Sequence, residues 1–301
     1  MAVCPMALQY GADTLTTPST RARELGPPTE KSAIAPGGFA FDAEGATHRG
    51  LVRDHNEDQF LVCWLAPPGA RSSSRTGERR TDREALMLAV ADGIAGLPCG
   101  EVASARAVNA VTRHLWNHLW DAQPGTEGAD GRILEVLREA FLRAHRRVRD
   151  VAGPEGPMGT TLTVALVLGT TLYVAHVGDS RCYLQRGTRL RQLTRDHTLG
   201  QLARESGAEE AEAAELDNAL CNALGVHAEE EPTVEVMRLE LLPGDRILVC
   251  SDGLSNYVTR ERAATILAGS GASEQLATRL LSAALAGGGG DNVTVAVGRA
   301  R

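Results

Sequence analysis

The sequence predicts an α+β fold: two packed antiparallel β-sheets flanked by helical pairs, an α-β-β-α sandwich. Three observations carry this. Residues 156–186 read as a meander of strands with tight turns (TTLTVALVLG, TLYVAHVGD, RCYLQRG), not as βαβ units. Helical patterns come in pairs, one pair before the meander and one near the C-terminus. Nine or ten strand patterns in all are more than one open sheet holds comfortably, so they divide between two sheets.

Residues 1–36 are rich in Thr, Pro, Gly, Ser and Arg without a steady period. They predict a flexible N-terminal leader ahead of a single domain over residues 37–301. From Phe39, FAFDAEGATHRG alternates as a strand does, and Gly50 ends it. Gln59–Leu65 is a second strand, and the polar, basic segment Ala66–Glu84 is expected to be a flexible hairpin insertion. Leu86–Ala91 is an unbroken apolar run ending at Asp92, with Gly93 and Gly96 in the turn behind it. Val102–Leu119 places Val108, Val111, Leu115 and Leu119 on one helical face, and Arg132–Val151 does the same with Ile133, Leu137, Phe141 and Val148. After the meander, Gln192–Pro232 is Glu- and Ala-rich and poor in large apolar groups, an excursion from the sheet. Strands resume at Thr233–Leu241 and Asp245–Cys250, helices at Thr259–Ala268 and Ser273–Ala286. A glycine hinge, an acid and a last strand, GGGGDNVTVAVGR, close the chain.

The 301 residues are 43% hydrophobic, enough for a sizeable core, and carry a net charge of −7, which argues against nonspecific nucleic-acid binding. No run of 18 apolar residues predicts a membrane span, and the N-terminus lacks the basic and apolar blocks of a secretory signal. Six scattered cysteines without a CxxC pair read as reduced, buried small hydrophobes. Together these features predict a cytoplasmic, soluble monomer.

Asp58, Asp92, Asp252 and Asp291 share one kind of place, the end of an apolar strand pattern, and Asp179 in VGDSR makes a fifth. Any one of them is an ordinary turn residue. Five at strand ends point to a cluster, and oxygen-only ligands select Mg2+ or Mn2+ rather than zinc. Arg53, a few residues before Asp58, offers a guanidinium fork for phosphate oxygens. Metals plus one arginine are what phosphoester hydrolysis by an activated water requires, with no covalent nucleophile.

With these residues in view, the chain from about Phe39 onward resembles the PPM family, the metal-dependent type 2C protein Ser/Thr phosphatases. The motifs stand in order: RDHNED (Arg53 to Asp58), VADGIAG (Val90 to Gly96), GEVAS (Gly100 to Ser104), MGTT (Met158 to Thr161), VGDSR (Val177 to Arg181), LTRDH (Leu193 to His197), SDGL (Ser251 to Leu254) and GDNVT (Gly290 to Thr294). The resemblance implies two Mn2+ or Mg2+ ions, with a weaker third. Asp92 would bridge the pair, the Gly93 carbonyl would complete the first, and Asp252 and Asp291 would hold the second. Asp179 would serve the third together with Asp252. Asp58 and Glu57 would act chiefly through waters on the metals, Asn292 would support the ligands from behind, and Arg53 would bind the substrate phosphate. Arg53, Asp58 and Asp92 are thus the implied catalytic set. The excursion at residues 192–232 falls where the family carries its flap. The implied partner is a phosphorylated protein substrate of a Ser/Thr kinase, with no nucleic acid and no membrane. Ile94 stands where some eukaryotic relatives have a histidine, which aligns the chain with bacterial-type members, and Ala95 replaces a frequent glycine. If that turn needs positive φ at residue 95, the alanine adds strain.

Two other signals lose to this reading. His114 and His118 are four apart on a helix, but Leu115 stands where the zincin pattern needs Glu. The stretch TLGQLARESGAEEAEAAEL has the outline of a helix-turn-helix, yet its second half carries four glutamates and no arginine or lysine, which repels phosphates. The alternative in another class is a catalytically silent phosphoprotein-binding module on the same fold, motivated by Ala95 and the missing histidine.

Overall fold

The computed structural model describes residues 38–68, 80–82, 84–97, 99–150, 156–226 and 230–301. The expected leader and most of the 66–84 insertion lie outside these. Ten strands run in chain order: β1 Phe41–His48, β2 Gln59–Leu65, β3 Ala85–Ala91, β4 Leu162–Leu168, β5 Thr171–Val177, β6 Arg181–Arg186, β7 Arg189–Gln192, β8 Glu235–Glu240, β9 Arg246–Cys250 and β10 Val293–Ala300. They form two five-stranded sheets, ordered β1-β10-β9-β6-β7 and β2-β3-β4-β5-β8, and every pairing is antiparallel.

Helices α1 Gly100–His118 and α2 Ala129–Arg149 cover one outer face; α6 Arg260–Ala268 and α7 Ser273–Ala286 cover the other. The short helices α3 Leu199–Glu205 and α4 Glu210–Ala214 lie in the excursion, and α5 Asp252–Ser255 follows β9 directly. Strand β3 shows why the layers form. Met87, Ala89 and Ala91 join the core beneath α1 and α2, while Leu86, Leu88 and Val90 join the core between the sheets. All seven residues of β3 are buried, because a strand at the centre of the sandwich has no solvent face. Strand β9 repeats this: Ile247 and Val249 face the other sheet, and Leu248 and Cys250 face α6 and α7. Each large side chain so buried contributes about 1.5–3 kcal/mol relative to exposure.

Two expectations need correction. The C-terminal end of the 66–84 insertion is built into the sandwich: Thr81 is fully buried, its hydroxyl donates to the Gly169 carbonyl at 2.5 Å, and Ala40 bridges Arg80. Nor are the cysteines mostly buried. Of the five described, Cys182 and Cys250 are buried, Cys63 and Cys99 partly so, and Cys221 is exposed.

Candidate metal and phosphate site

The antiparallel registers bring the five acids to one end of the sandwich. Gln59 pairs with Ala91, so Asp58 and Asp92 flank adjacent strand ends. Leu162 pairs with Val177, which sets Asp179 beside the start of β4. Cys250 pairs with both Val295 and Arg181, which puts Asp252 near the start of β10 and the Asp179 loop. Asp291 precedes β10. Across the two sheets, Ser251 Oγ donates to Asp58 Oδ2 at 2.7 Å and accepts from the Thr294 N–H at 3.0 Å.

Buried hydroxyls and one amide hold the frame. The Asp92 carbonyl accepts from the Thr161 N–H at 2.9 Å and the Thr160 hydroxyl at 2.8 Å, while the Asp92 N–H donates to Thr161 Oγ1 at 3.0 Å. Thr161 Oγ1 also meets Ser180 Oγ at 2.7 Å, beside Asp179. Asn292 pins the loop 49–57: its Oδ1 accepts from the Glu57 N–H, and its Nδ2 donates to the Arg49 and His55 carbonyls, all at 2.8–2.9 Å. Gly93 donates its N–H to the Glu57 carbonyl and lies so close to Gly100 that an added Cβ would stand 2.5 Å from the Gly100 carbonyl. A side chain there would push β3 off helix α1.

The electrostatics follow from crowding. Burial raises Asp92 well above the usual carboxylate range, and the negative charges of Asp58, Asp252, Asp179 and Asp291 add to it. Asp58 is pushed up to about 7, first by burial and then by Asp252, against the lowering bonds from Thr294 and Ser251. Asp179 and Asp252 are raised by burial and by their acidic neighbours, and Glu57 by burial and Glu101. These acids lack a full counter-charge among the described residues, although Arg181 lowers Asp179 and Asp252. Arg53 supplies part of one: its Nη2 donates to Asp291 Oδ2 at 2.7 Å, and that bond raises its own pKa. Asp291 Oδ1 accepts the Asn292 N–H. Among the described residues the buried Asp58 Oδ1 has no hydrogen-bond partner.

The excursion runs along the same end of the sandwich. A polar cleft of about 290 Å³ opens between it and the acids, lined by Asp179, Arg181, Asp196, Arg204, Asp217 and Asp252, among others. Arg181 forks onto Asp196, and Arg204 joins Glu210 to Asp217. The helix-turn-helix outline is real as two short helices around Gly207. The turn after Asp92 takes its positive φ at Gly96 and Cys99, not at Ala95, so the strain expected of that alanine is absent.

Among the described residues, no group of three or more His, Cys, Asp or Glu is arranged to hold an ion on its own. His114 and His118 lie with ring centroids 4.5 Å apart at the α1–α2 interface and join no such group. Sequence reasoning gave no role to Ser251, Thr160, Thr161 or His197. All four sit inside the quoted motifs, which was the available signal.

The class is defined by its architecture, an all-antiparallel α-β-β-α sandwich with an acid-lined cleft across its strand ends. A family model for protein phosphatase 2C matches residues 75–286, and the chain belongs to that family. The match takes in Asp92, Asp179 and Asp252 but not Arg53, Asp58 or Asp291. The serine/threonine protein phosphatase PstP of Mycobacterium tuberculosis is 40% identical over 259 residues, covering 83% of this chain and 43% of PstP. The chain therefore spans less than half the length of that relative. The serine/threonine phosphatase stp of Listeria innocua is 34% identical over 259 residues, covering 84% of this chain and 93% of stp. In three dimensions the chain is similar to the catalytic domain of PstP in complex with two manganese ions, with a TM-score of 0.66, 35% identity, and coverage of 86% of this chain and 97% of that one. Among the described residues no helix is long and apolar enough to cross a membrane.

Proposed function

We propose that the chain hydrolyses phosphoserine and phosphothreonine on proteins, with two Mn2+ or Mg2+ ions and a weaker third. The observation that carries this is the convergence of Asp58, Asp92, Asp179, Asp252 and Asp291 beside Arg53, the first four raised by burial and by acidic neighbours. Such a set fits divalent cations: every donor is oxygen, the charge is only partly compensated by Arg53 and Arg181, and among the described residues the buried Asp58 Oδ1 has no hydrogen-bond partner. Asp92 and the Gly93 carbonyl would hold one ion, Asp92 with Asp252 and Asp291 the second, and Asp179 with Asp252 the third. When bound, the ions supply an activated water and neutralise charge on the phosphoryl group.

The chain's own groups do the rest. Arg53 is the movable one. Its Asp291 bond is half exposed (Arg53 41%, Asp291 30%), so it exchanges readily for a phosphoryl oxygen pair, and its departure frees Asp291 for a cation. Asn292, by fixing residues 49–57, aims both Arg53 and Glu57. Ser251 orients Asp58 and leaves Oδ1 facing the cluster. The substrates are the products of a Ser/Thr kinase, and the protein works as a cytoplasmic monomer. The turnover of a phosphothreonine peptide in Mn2+ tests the proposal. Activity should vanish with EDTA and return with Mn2+; turnover undiminished in EDTA excludes the mechanism, and Mn2+ binding without turnover marks a silent module.

A further inference from the structure

His197 lies where the chain leaves β7 for the excursion and is 4% exposed. Its backbone N–H donates to the Gly178 carbonyl at 2.7 Å, and the Gly178 N–H donates back to His197 Nδ1 at 3.1 Å. Gly178 directly precedes Asp179. It has φ +109°, and an added Cβ there would stand 2.5 Å from the Thr161 Cβ, so no other residue follows this path without strain. On the excursion side, the Cys221 N–H donates to the His197 carbonyl at 2.9 Å, and Asn222 Nδ2 reaches His197 Nδ1 at 2.9 Å. The Asn222 amide also donates to the Thr233 carbonyl at 2.8 Å. With two N–H donors on Nδ1, the ring hydrogen sits on Nε2, which faces Glu235 Oε1 at 3.5 Å. The His176 ring lies against His197, with centroids 4.8 Å apart.

Farther along, Leu224 and Thr160 exchange backbone bonds at 2.9 and 3.1 Å, and the Thr160 hydroxyl holds the Asp92 carbonyl. The excursion therefore begins on the loop of one proposed ligand and ends on the frame of another. We infer that His197 is a positioning residue that makes the flap and the Asp179 loop move as one unit, so that engagement of the flap by a protein substrate sets how tightly Asp179 holds its metal. This rests on the reading of Asp179 as a ligand of the third, weaker site.

The test uses the full chain with three variants: His197→Phe, which removes the acceptor; His197→Asn, whose side-chain oxygen replaces Nδ1; and Asn222→Ala, which cuts only the flap side. Amide exchange of residues 176–181 and 198–222 is read without metal, and Mn2+ binding is read by calorimetry. In His197→Phe, exchange in both segments should rise about tenfold and the weak Mn2+ site should loosen about tenfold, the scale of one or two buried hydrogen bonds. His197→Asn should return both to within about threefold of the parent. Asn222→Ala, which also serves if His197→Phe fails to fold, should raise exchange at 198–222 and loosen the weak site as well. A freed flap with unchanged weak-site affinity in Asn222→Ala overturns the inference, as does a rise confined to one segment in His197→Phe. Asp179→Asn separates the two ideas. If it leaves Mn2+ binding unchanged, the ligand assignment fails, and the exchange of the two segments alone decides whether His197 joins them.

Discussion

Two polar assemblies share one end of the sandwich and are built in opposite ways. The acid cluster gathers residues from Asp58 to Asp291, and its supports (Ser251, Thr160, Thr161, Thr294) are buried. The flap is local. Arg204 reaches Glu210 and Asp217, and Arg195 reaches Glu205, through side chains that are mostly open to solvent. Exposed pairs of this kind contribute about 0.2–1 kcal/mol each. The sheets hold the cluster's crowded carboxylates in place against their repulsion, whereas nothing in the core depends on the flap's ion pairs. The proposed chemistry is thus tied to the fold, and the ion pairs of the cleft wall beside it are free to vary.

Substitutions test this contrast, the largest effect first. Asp92→Asn should lower kcat on a phosphopeptide about a thousandfold, while the metal-free variant is no less stable than the parent, since one repelling charge is gone. Clear destabilisation of the metal-free variant would break the account of the cluster. Asn292→Ala removes three bonds to residues 49–57 and should cost about 2–3 kcal/mol in urea unfolding; a loss below about 0.5 kcal/mol would mean the loop holds itself.

The pH dependence comes next. Asp58 has a folded value of about 7, above its ordinary one, so the folded chain binds more protons than the unfolded chain. Its contribution is fully present below about pH 4 and is lost as pH rises through about 7. The melting temperature of metal-free protein should therefore fall across that window, and Mn2+ should remove the fall. A flat profile without metal would show that the carboxylates are not crowded. The smallest effect is at Arg204→Ala, which should cost no more than about 1 kcal/mol and leave hydrolysis of a small aryl phosphate unchanged.

Much of this was legible in the residues. Runs such as Leu86–Ala91, with turn glycines behind them, mark buried strands, and all five acids stand next to strand ends as expected. Strand β7 was not legible: RLRQ is four residues, three of them polar, and becomes a strand only by pairing with β6. Helix α5 is equally hidden, since four residues after β9 have no period to read. The partners of the acids were hidden for another reason. A serine or threonine in a motif shows no sign of whether its hydroxyl meets Asp58 or a carbonyl, because that depends on contacts between residues as far apart as Asp58 and Ser251. The Arg53–Asp291 bond spans the chain in the same way.

Strand β10 pairs with β1 along eight residues on one side and with β9 on the other. During synthesis on a ribosome, β1 is made long before β10 and waits through residues 49–292 before its partner exists. Until then its sheet is split in two, Asn292 is not there to draw in residues 49–57, and Arg53 has no Asp291. Long-range closure of this kind is slow. It also bears on the proposed hydrolysis: a chain made only as far as β9 should be unable to perform it, and competence should arrive abruptly with β10.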